Sequence, residues 1–270
     1  MKTHDVDESV RSWFERLLCR RHVAAVFSSL ALLLKDAPAG QTPTIWWALG
    51  GLNDGEAEVL GAWLNEDPGG GVPLEALGDL YQRGAEFIRL GVGDLGPAGA
   101  EFTRTFRCSA VAASVEQTLA STVARVPPRF RSLLAEELQA VADAADLDSA
   151  RAELARFQTT SLSEGYPWIA EHWGEAVARF GPLFALPAPM QRLARSTDRS
   201  ALEVNERLKR AVHRHGPFDD RAAALEFVAR KLDRAECRLD RERDAARAAR
   251  DVRAIAAERP VRTEPPGVTA

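Results

Sequence analysis

An almost uninterrupted apolar run, HVAAVFSSLALLL, occupies residues 22–34. Lys35 and Asp36 end it, and a turn around Pro38 and Gly40 follows. The run is too short for a membrane-spanning helix, which needs about 20 apolar residues. A strand that is covered on both faces has this pattern, because neither face alternates with polar residues. The run therefore predicts the buried central strand of a sheet.

The segments after this run predict further strands. Two apolar segments, 42–52 and 57–65, flank the turn Asn53-Asp54-Gly55, and this arrangement predicts a β-hairpin. Residues 73–84 have helical spacing, and residues 87–95 predict another strand that ends in a glycine-containing loop. A short helix and one more strand-like segment complete this part of the chain.

From about residue 114 the apolar residues recur three and four positions apart, which is typical of helices. We expect helices through residue 181, with a break at Asp146 and a helix cap at Asp148 or Ser149. The tryptophans of the hairpin, Trp46, Trp47 and Trp63, are expected to pack in the core or on the face of the sheet and not to serve as base-stacking platforms.

Two further helices are predicted at about 198–213 and 219–236. Residues 237–258 alternate in charge sign and predict a solvated helix, and the last residues, 260–270, predict a disordered tail. This order of elements predicts an α/β fold with a helical insertion.

The composition is that of an ordinary globular protein, with 46% hydrophobic residues, 27% charged residues and a net charge of −4. Dedicated nucleic-acid-binding proteins are usually basic, so any contact with DNA needs a local patch. Cys19, Cys108 and Cys237 are widely spaced and form neither a disulfide framework nor a zinc motif. No signal peptide or membrane span is predicted, and we expect a cytoplasmic protein.

Four short motifs follow one another in a recognisable order. They are Ser12–Leu18, the hairpin motif Ala48-Leu49-Gly50-Gly51 with Asp54-Gly55 and Glu58-Val59-Leu60-Gly61-x-Trp63, Tyr166-Pro167 with Trp173, and a basic helix with Asn205, Arg207, Leu208 and Gly216. In this order and spacing they resemble the bacterial Mutator-type insertion-sequence transposases, over about residues 8–236. The resemblance implies an RNase H-like mixed sheet with an all-α insertion and a C-terminal helical extension.

The resemblance also implies a division of the chain into segments. These are a short N-terminal helix (1–24), an RNase H-like core (25–113), an all-α insertion (114–195), closing helices of the core (196–236), and a charged helix with a disordered tail (237–270). Family members carry a helical DNA-binding region ahead of the first catalytic strand. The resemblance therefore implies a degenerate member that lacks this region.

Family members hold Mg²⁺ with three acids, and these positions correspond here to Ser28, Gly93 and Leu202. A serine hydroxyl carries no charge, and glycine and leucine offer no ligand to this hard cation. Asp94 and Glu203 each lie one residue later and are the candidate substitutes. One residue of offset turns a strand side chain to the other face and rotates a helical one by about 100°. We therefore expect no catalytic residue, no metal site and no cofactor, with Mg²⁺ only if the substitutes reach the site.

Two further points concern residues near these acid positions. The family's Cys-x-x-His corresponds to Ser114 and Gln117. A one-residue insertion ahead of the basic helix leaves the register of Leu202 open by one position.

The basic helix at 199–214 is the candidate DNA contact, because arginine and lysine bind phosphate without reading bases. The candidate residues are Arg199, Asn205, Arg207, Lys209, Arg210 and Arg214. The alternative is a solvated face that is partly paired with Asp198, Glu203 and Glu206.

Three functions remain open at this stage. The favoured one is a transposase-like protein that is catalytically inactive and retained for binding DNA or a partner. The second is an active DDE transposase that cleaves and joins DNA with Mg²⁺. The third is a structural or regulatory module that forms homo-oligomers or docks on a protein partner without DNA.

Overall fold

The computed structural model describes residues 8–35, 42–65 and 71–257. Within these ranges one mixed sheet contains β1 (Arg21–Ala31), β2 (Thr44–Gly51), β3 (Ala57–Asn65), β4 (Phe87–Val92) and β5 (Ala110–Ala112). The strand order is β3-β2-β1-β4-β5. β2 pairs antiparallel with β1 and β3, whereas β4 pairs parallel with β1 and β5. The predicted central strand and hairpin are therefore confirmed, as is the α/β class.

Helices cover both faces of this sheet. They are α1 (Glu8–Glu15), α2 (Leu74–Gln82), α3 (Ala98–Thr105), α4 (Val115–Ala124), α5 (Pro128–Ala142), α6 (Leu147–Phe157), α7 (Ser161–Gly165), α8 (Pro167–Phe184), α9 (Ala188–His215) and α10 (Arg221–Ala257). The helical character predicted after residue 114 is confirmed. None of the helices in the described ranges is long and apolar enough to cross a membrane.

Three details differ from the sequence-based expectations. α9 begins at Ala188, about ten residues earlier than expected, and α10 is continuous where two helical segments were predicted. Asp146 itself caps α6, because its side chain accepts a 2.7 Å hydrogen bond from the backbone N–H of Ser149. The expected caps at Asp148 or Ser149 are therefore wrong. An aspartate before the first turn satisfies a backbone N–H that has no partner within the helix.

Other expectations stay predictions. The turn around Pro38 and Gly40 and the tail at 260–270 lie outside the described residues. Since α9 runs without interruption across residue 195, the division between insertion and closing helices also remains a prediction.

The two faces of the sheet have separate apolar cores. Val26, Leu30 and Trp47 pack on the face that α9, α10 and the helical insertion cover. Phe27 and Trp46 pack on the opposite face, against α2 and α3. Trp47 is fully buried, Trp46 is 8% exposed, and the half-buried Trp63 packs against the second core, so the expected packing of the three tryptophans is confirmed. β1 is thus covered on both sides, as its unbroken apolar run predicts.

Candidate functional site

Ser28 lies in the second half of the central strand and is buried. Strand side chains alternate, so Ser28 shares the face of Val26 and Leu30, which is the face that α9 covers. The neighbouring parallel strand ends beside it, since Val26 is paired with Val92 in β4. The residue after Val92 therefore lies beside Phe27, one position before Ser28.

That residue is Gly93, whose backbone has a φ of +128°. Its N–H donates a 2.9 Å hydrogen bond to the carbonyl of Ala112 in β5. A Cβ atom added at this position would lie 2.7 Å from the carbonyl oxygen of Phe27, closer than real Cβ contacts allow. The local backbone therefore accepts glycine and no side chain without rearrangement.

Asp94 follows at the rim of an open cleft and is exposed. It lines a cavity of about 350 Å³ together with Ser28 and Gln117. A second cavity of about 290 Å³ shares Asp94 and Gln117 and is also lined by Ser114. The chain thus brings Ser28, Asp94, Ser114 and Gln117 to one cleft at the carboxyl ends of β1 and β4.

Leu202 and Glu203 lie on different sides of α9. Leu202 is half-buried, whereas the Glu203 side chain is 56% exposed and lies 3.8 Å from Arg207 within the same helix. Glu203 also lies close enough to α10 for its charge to act on Arg238. α10 packs along β3, at the sheet edge away from β4 and Asp94. The fold therefore does not bring Glu203 and Asp94 to one site.

Asp198 is a buried acid, although its residue type predicts a place among the solvated charges of α9. Its side chain is only 4% exposed. The Ser114 hydroxyl donates a 2.6 Å hydrogen bond to Oδ1, and the backbone N–H of Glu116 donates to Oδ2 at 3.2 Å. Burial raises the pKa of Asp198 to about 6. Helical periodicity is the sequence feature that indicates this burial, since Asp198 falls on the stripe of Ala194, Ala201 and Asn205.

Within the described parts of the chain, no group of three or more His, Cys, Asp or Glu residues could hold a metal ion. Ser28 offers one neutral oxygen, Gly93 and Leu202 offer none, and Asp94 and Glu175 are the carboxylates that line the two cavities of the cleft among the described residues. A pair of Mg²⁺ ions in phosphoryl transfer needs several charged oxygens. The side chains of the cleft therefore do not fit a pair of Mg²⁺ ions.

A sequence model of the family described as "Transposase, Mutator family" matches residues 2–236. The chain belongs to the Mutator family of transposases. The resemblance identified in the sequence is therefore confirmed.

Curated relatives of this Mutator-family chain carry transposase names. A transposase for insertion sequence element ISRM3 of Rhizobium meliloti (strain 1021) is 26% identical over 228 residues, which cover 84% of this chain and 56% of the relative. A probable transposase for an insertion sequence element of Corynebacterium diphtheriae is 27% identical over 256 residues, which cover 94% of this chain and 73% of the relative. The chain thus spans little more than half the length of the first of these relatives.

Basic side chains of this Mutator-family chain line the outer face of α9, and they differ in their partners. Arg199 donates to Glu116 at 2.9 Å, and Lys209 pairs with Glu206 at 2.9 Å. Arg210 and Arg214 are exposed, and no carboxylate of the described residues lies within ion-pair distance of either. These two arginines therefore keep their full charge available to a partner.

Asn205 differs from the other candidate DNA contacts because it is 2% exposed. Its Oδ1 accepts a 3.0 Å hydrogen bond from Trp47 Nε1, and its Nδ2 donates to the Ser29 carbonyl at 3.4 Å. The side chain fastens α9 to β1 and β2 and does not reach the surface. The prediction that Asn205 contacts DNA is corrected on this ground.

Proposed function

We propose that this Mutator-family protein binds DNA through the outer face of α9 and does not cleave it with Mg²⁺. The observation that carries the proposal is the geometry of Gly93. The position corresponding to the second catalytic acid has a positive φ and no space for a Cβ atom. The protein is then a pseudoenzyme of transposase lineage that retains an affinity for DNA.

The other two acid positions support the same proposal. A hydroxyl at Ser28 supplies no charge to compensate a divalent cation. Glu203 lies toward α10, and the side chain of Leu202 has no oxygen. Asp94 and Glu175 line the cleft but belong to no cluster of three ligands among the described residues, whereas Mg²⁺ sites of this reaction class combine several oxygens around two ions.

The DNA-binding part of the proposal rests on the charges of α9. Arg210 and Arg214 lie one helical turn apart, so their side chains share a face. Arg199 pairs with Glu116 of α4, and Arg207 lies 3.8 Å from Glu203 and near Arg238 of α10, so each has one carboxylate partner. Backbone phosphates attract such a row without regard to base sequence. The net charge of −4 does not oppose this, because screening limits distant charges to about 10 Å at 0.1 M salt.

The test measures binding of a fluorescent DNA duplex at several salt concentrations. We expect the affinity to fall steeply with salt. The double substitution Arg210→Ala and Arg214→Ala should lower the logarithmic salt slope by about one unit for each phosphate that the variant no longer binds. The matched control is Arg151→Ala with Arg156→Ala on α6, which removes the same charge from the helical insertion. Equal slopes for the two double variants would contradict the α9 interface.

A second measurement tests the absence of cleavage. Purified protein is incubated with supercoiled plasmid and Mg²⁺ or Mn²⁺, and the fraction of nicked circles is measured. We expect no nicking above the metal-only background. Metal-dependent nicking that disappears in Asp94→Asn or Glu203→Gln would establish the active-transposase alternative instead.

A further inference from the structure

The cavity beside Ser28 carries polar groups that the α9 interface does not use. Its volume is about 350 Å³, within the lower range of small-molecule pockets. Its walls include the hydroxyl-bearing residues Ser28, Ser29 and Thr44, together with Trp46, Asp94 and Gln117. Among the described residues that line it, none carries a positive charge, so a free phosphate group is a poor fit.

Trp46 gives the first sign of a ligand. The residue is 8% exposed, and its Nε1 is buried without a hydrogen-bond partner among the described residues. A small rotation of the indole toward the cavity would let an acceptor atom of a ligand satisfy this donor. By contrast, the neighbouring Trp47 donates to Asn205.

Asp94 gives the second sign. Its carboxylate is exposed in the cleft, and no described residue pairs with it or donates to it. An ionised carboxylate only accepts hydrogen bonds, and it does so best from two neighbouring N–H groups. The cavity therefore suits a neutral, flat ligand with N–H donors on one edge and acceptors on another.

We propose that this cavity binds one unpaired nucleobase and that guanine fits it best. Guanine presents N1–H and the N2 amino group side by side to a carboxylate, and its O6 and N7 are acceptors for N–H and hydroxyl donors. Adenine, cytosine and thymine place an acceptor beside each donor on the same edge, so Asp94 would gain one hydrogen bond from them. Enzymes that work on single bases hold them in comparable pockets outside the stack. This proposal rests on the proposed function in one respect, because the bound DNA would supply the unpaired base.

The test uses free nucleotides, so that it does not depend on α9. Uniformly ¹⁵N-labelled protein is titrated with the 5′-monophosphates of guanosine, adenosine, cytidine and thymidine, and the indole N–H signal of Trp46 is followed by NMR. Trp46→Phe assigns the signal. We expect guanosine monophosphate to shift it and to bind about tenfold more tightly than the other three, since a bidentate contact discriminates by about 1–3 kcal/mol.

The matched variants are Asp94→Asn and Asp54→Asn, which remove the same charge from the cleft and from the β2–β3 turn. Asp94→Asn is expected to abolish the guanine preference, and Asp54→Asn to leave it unchanged. Equal binding of all four nucleotides, no shift with any of them, or a preference that survives in Asp94→Asn would overturn the proposal. Loss of duplex binding in the α9 variants, with the guanine response intact, would separate this cavity from the proposed DNA interface.

Discussion

The Ser114 hydroxyl donates a 2.6 Å hydrogen bond to the buried carboxylate of Asp198. This contact joins the first helix of the insertion to α9. Ser114 also caps α4, since its Oγ accepts from the Gln117 N–H at 3.0 Å. One hydroxyl therefore fixes the start of α4 and its attachment to the helix that covers the sheet.

The ionisation of Asp198 should make the stability depend on pH. Burial raises its pKa from 3.8 to about 6, so the folded state binds a proton more readily than the unfolded state between these values. The free energy of unfolding should therefore fall as pH rises from about 4 to 6, by at most about 3 kcal/mol from this group. The charge of Glu116 also raises the pKa of Asp198, whereas the nearby charge of Arg195 opposes this shift.

Urea unfolding at pH 4, 5, 6 and 7 checks this expectation. Asp198→Asn should flatten the profile between pH 4 and 6, because the amide does not titrate. Asp54→Asn, on an exposed turn, should keep the wild-type profile. Parallel profiles for wild type and Asp198→Asn would show that the group does not titrate in this range.

Any side chain at position 93 should lower the stability of the protein, including the aspartate that would restore the catalytic position. Gly93→Ala places a Cβ near the Phe27 carbonyl and strains a backbone with a φ of +128°. We expect a loss of about 1–3 kcal/mol in the free energy of unfolding. Gly78→Ala is the control, since its Cβ meets nothing within 4 Å in the exposed face of α2. It should stabilise the helix by up to about 1 kcal/mol.

Denaturant unfolding of the two alanine variants gives the comparison. The same loss at both positions would mean that Gly93 is not specially constrained. Retention of wild-type stability in Gly93→Asp would also remove the main argument that the second acid position is closed to catalysis.

Asn205 should act on stability and not on DNA affinity. Asn205→Ala leaves the buried Nε1 of Trp47 without its acceptor, which costs about 1–3 kcal/mol. Arg210→Ala removes an exposed side chain of the same helix and should change stability by less than about 0.5 kcal/mol. Thermal unfolding and duplex binding of both variants check the contrast. A folded Asn205→Ala protein that loses DNA affinity while stability is unchanged would return this residue to the interface.

Local patterns in the sequence indicated most of the sheet and the helical block. The run at 22–34 predicts β1 because burial on both faces leaves an unmistakable composition, and Asn53-Asp54-Gly55 predicts the hairpin through its turn chemistry. The geometry of the cleft could not be predicted in this way. The positive φ of Gly93 depends on the approach of Phe27 across the sheet, and no local pattern encodes that distance.

The burial of two polar residues on α9 could not be predicted from local patterns either. Asp198 and Asn205 resemble surface residues by type, yet both are buried because their partners, Ser114 and Trp47, come from distant parts of the chain. Their positions on the apolar stripe were the one signal available. Glu203, by contrast, is where its helical phase places it, on the exposed side.

The outer edge of the sheet provides the last prediction. Glu236 of α10 accepts a 2.8 Å hydrogen bond from the Val59 N–H of β3, and Arg16 donates to the Val59 carbonyl at 2.6 Å. The two side chains also pair with each other at 2.8 Å. Together they satisfy both backbone groups of an edge residue that would otherwise be open to another strand.

Glu236→Ala should therefore expose this part of β3. We expect the Val59 amide to exchange with solvent at least about tenfold faster, since the hydrogen bond that it removes involves a charged acceptor and is worth about 1.5–3 kcal/mol. Glu242→Ala, which removes an exposed carboxylate of the same helix, should leave the exchange unchanged. Hydrogen exchange measured by NMR resolves the Val59 amide from those of the central strand. If Val59 stays protected in Glu236→Ala, then the packing of α10 on β3, and not this carboxylate, protects the edge.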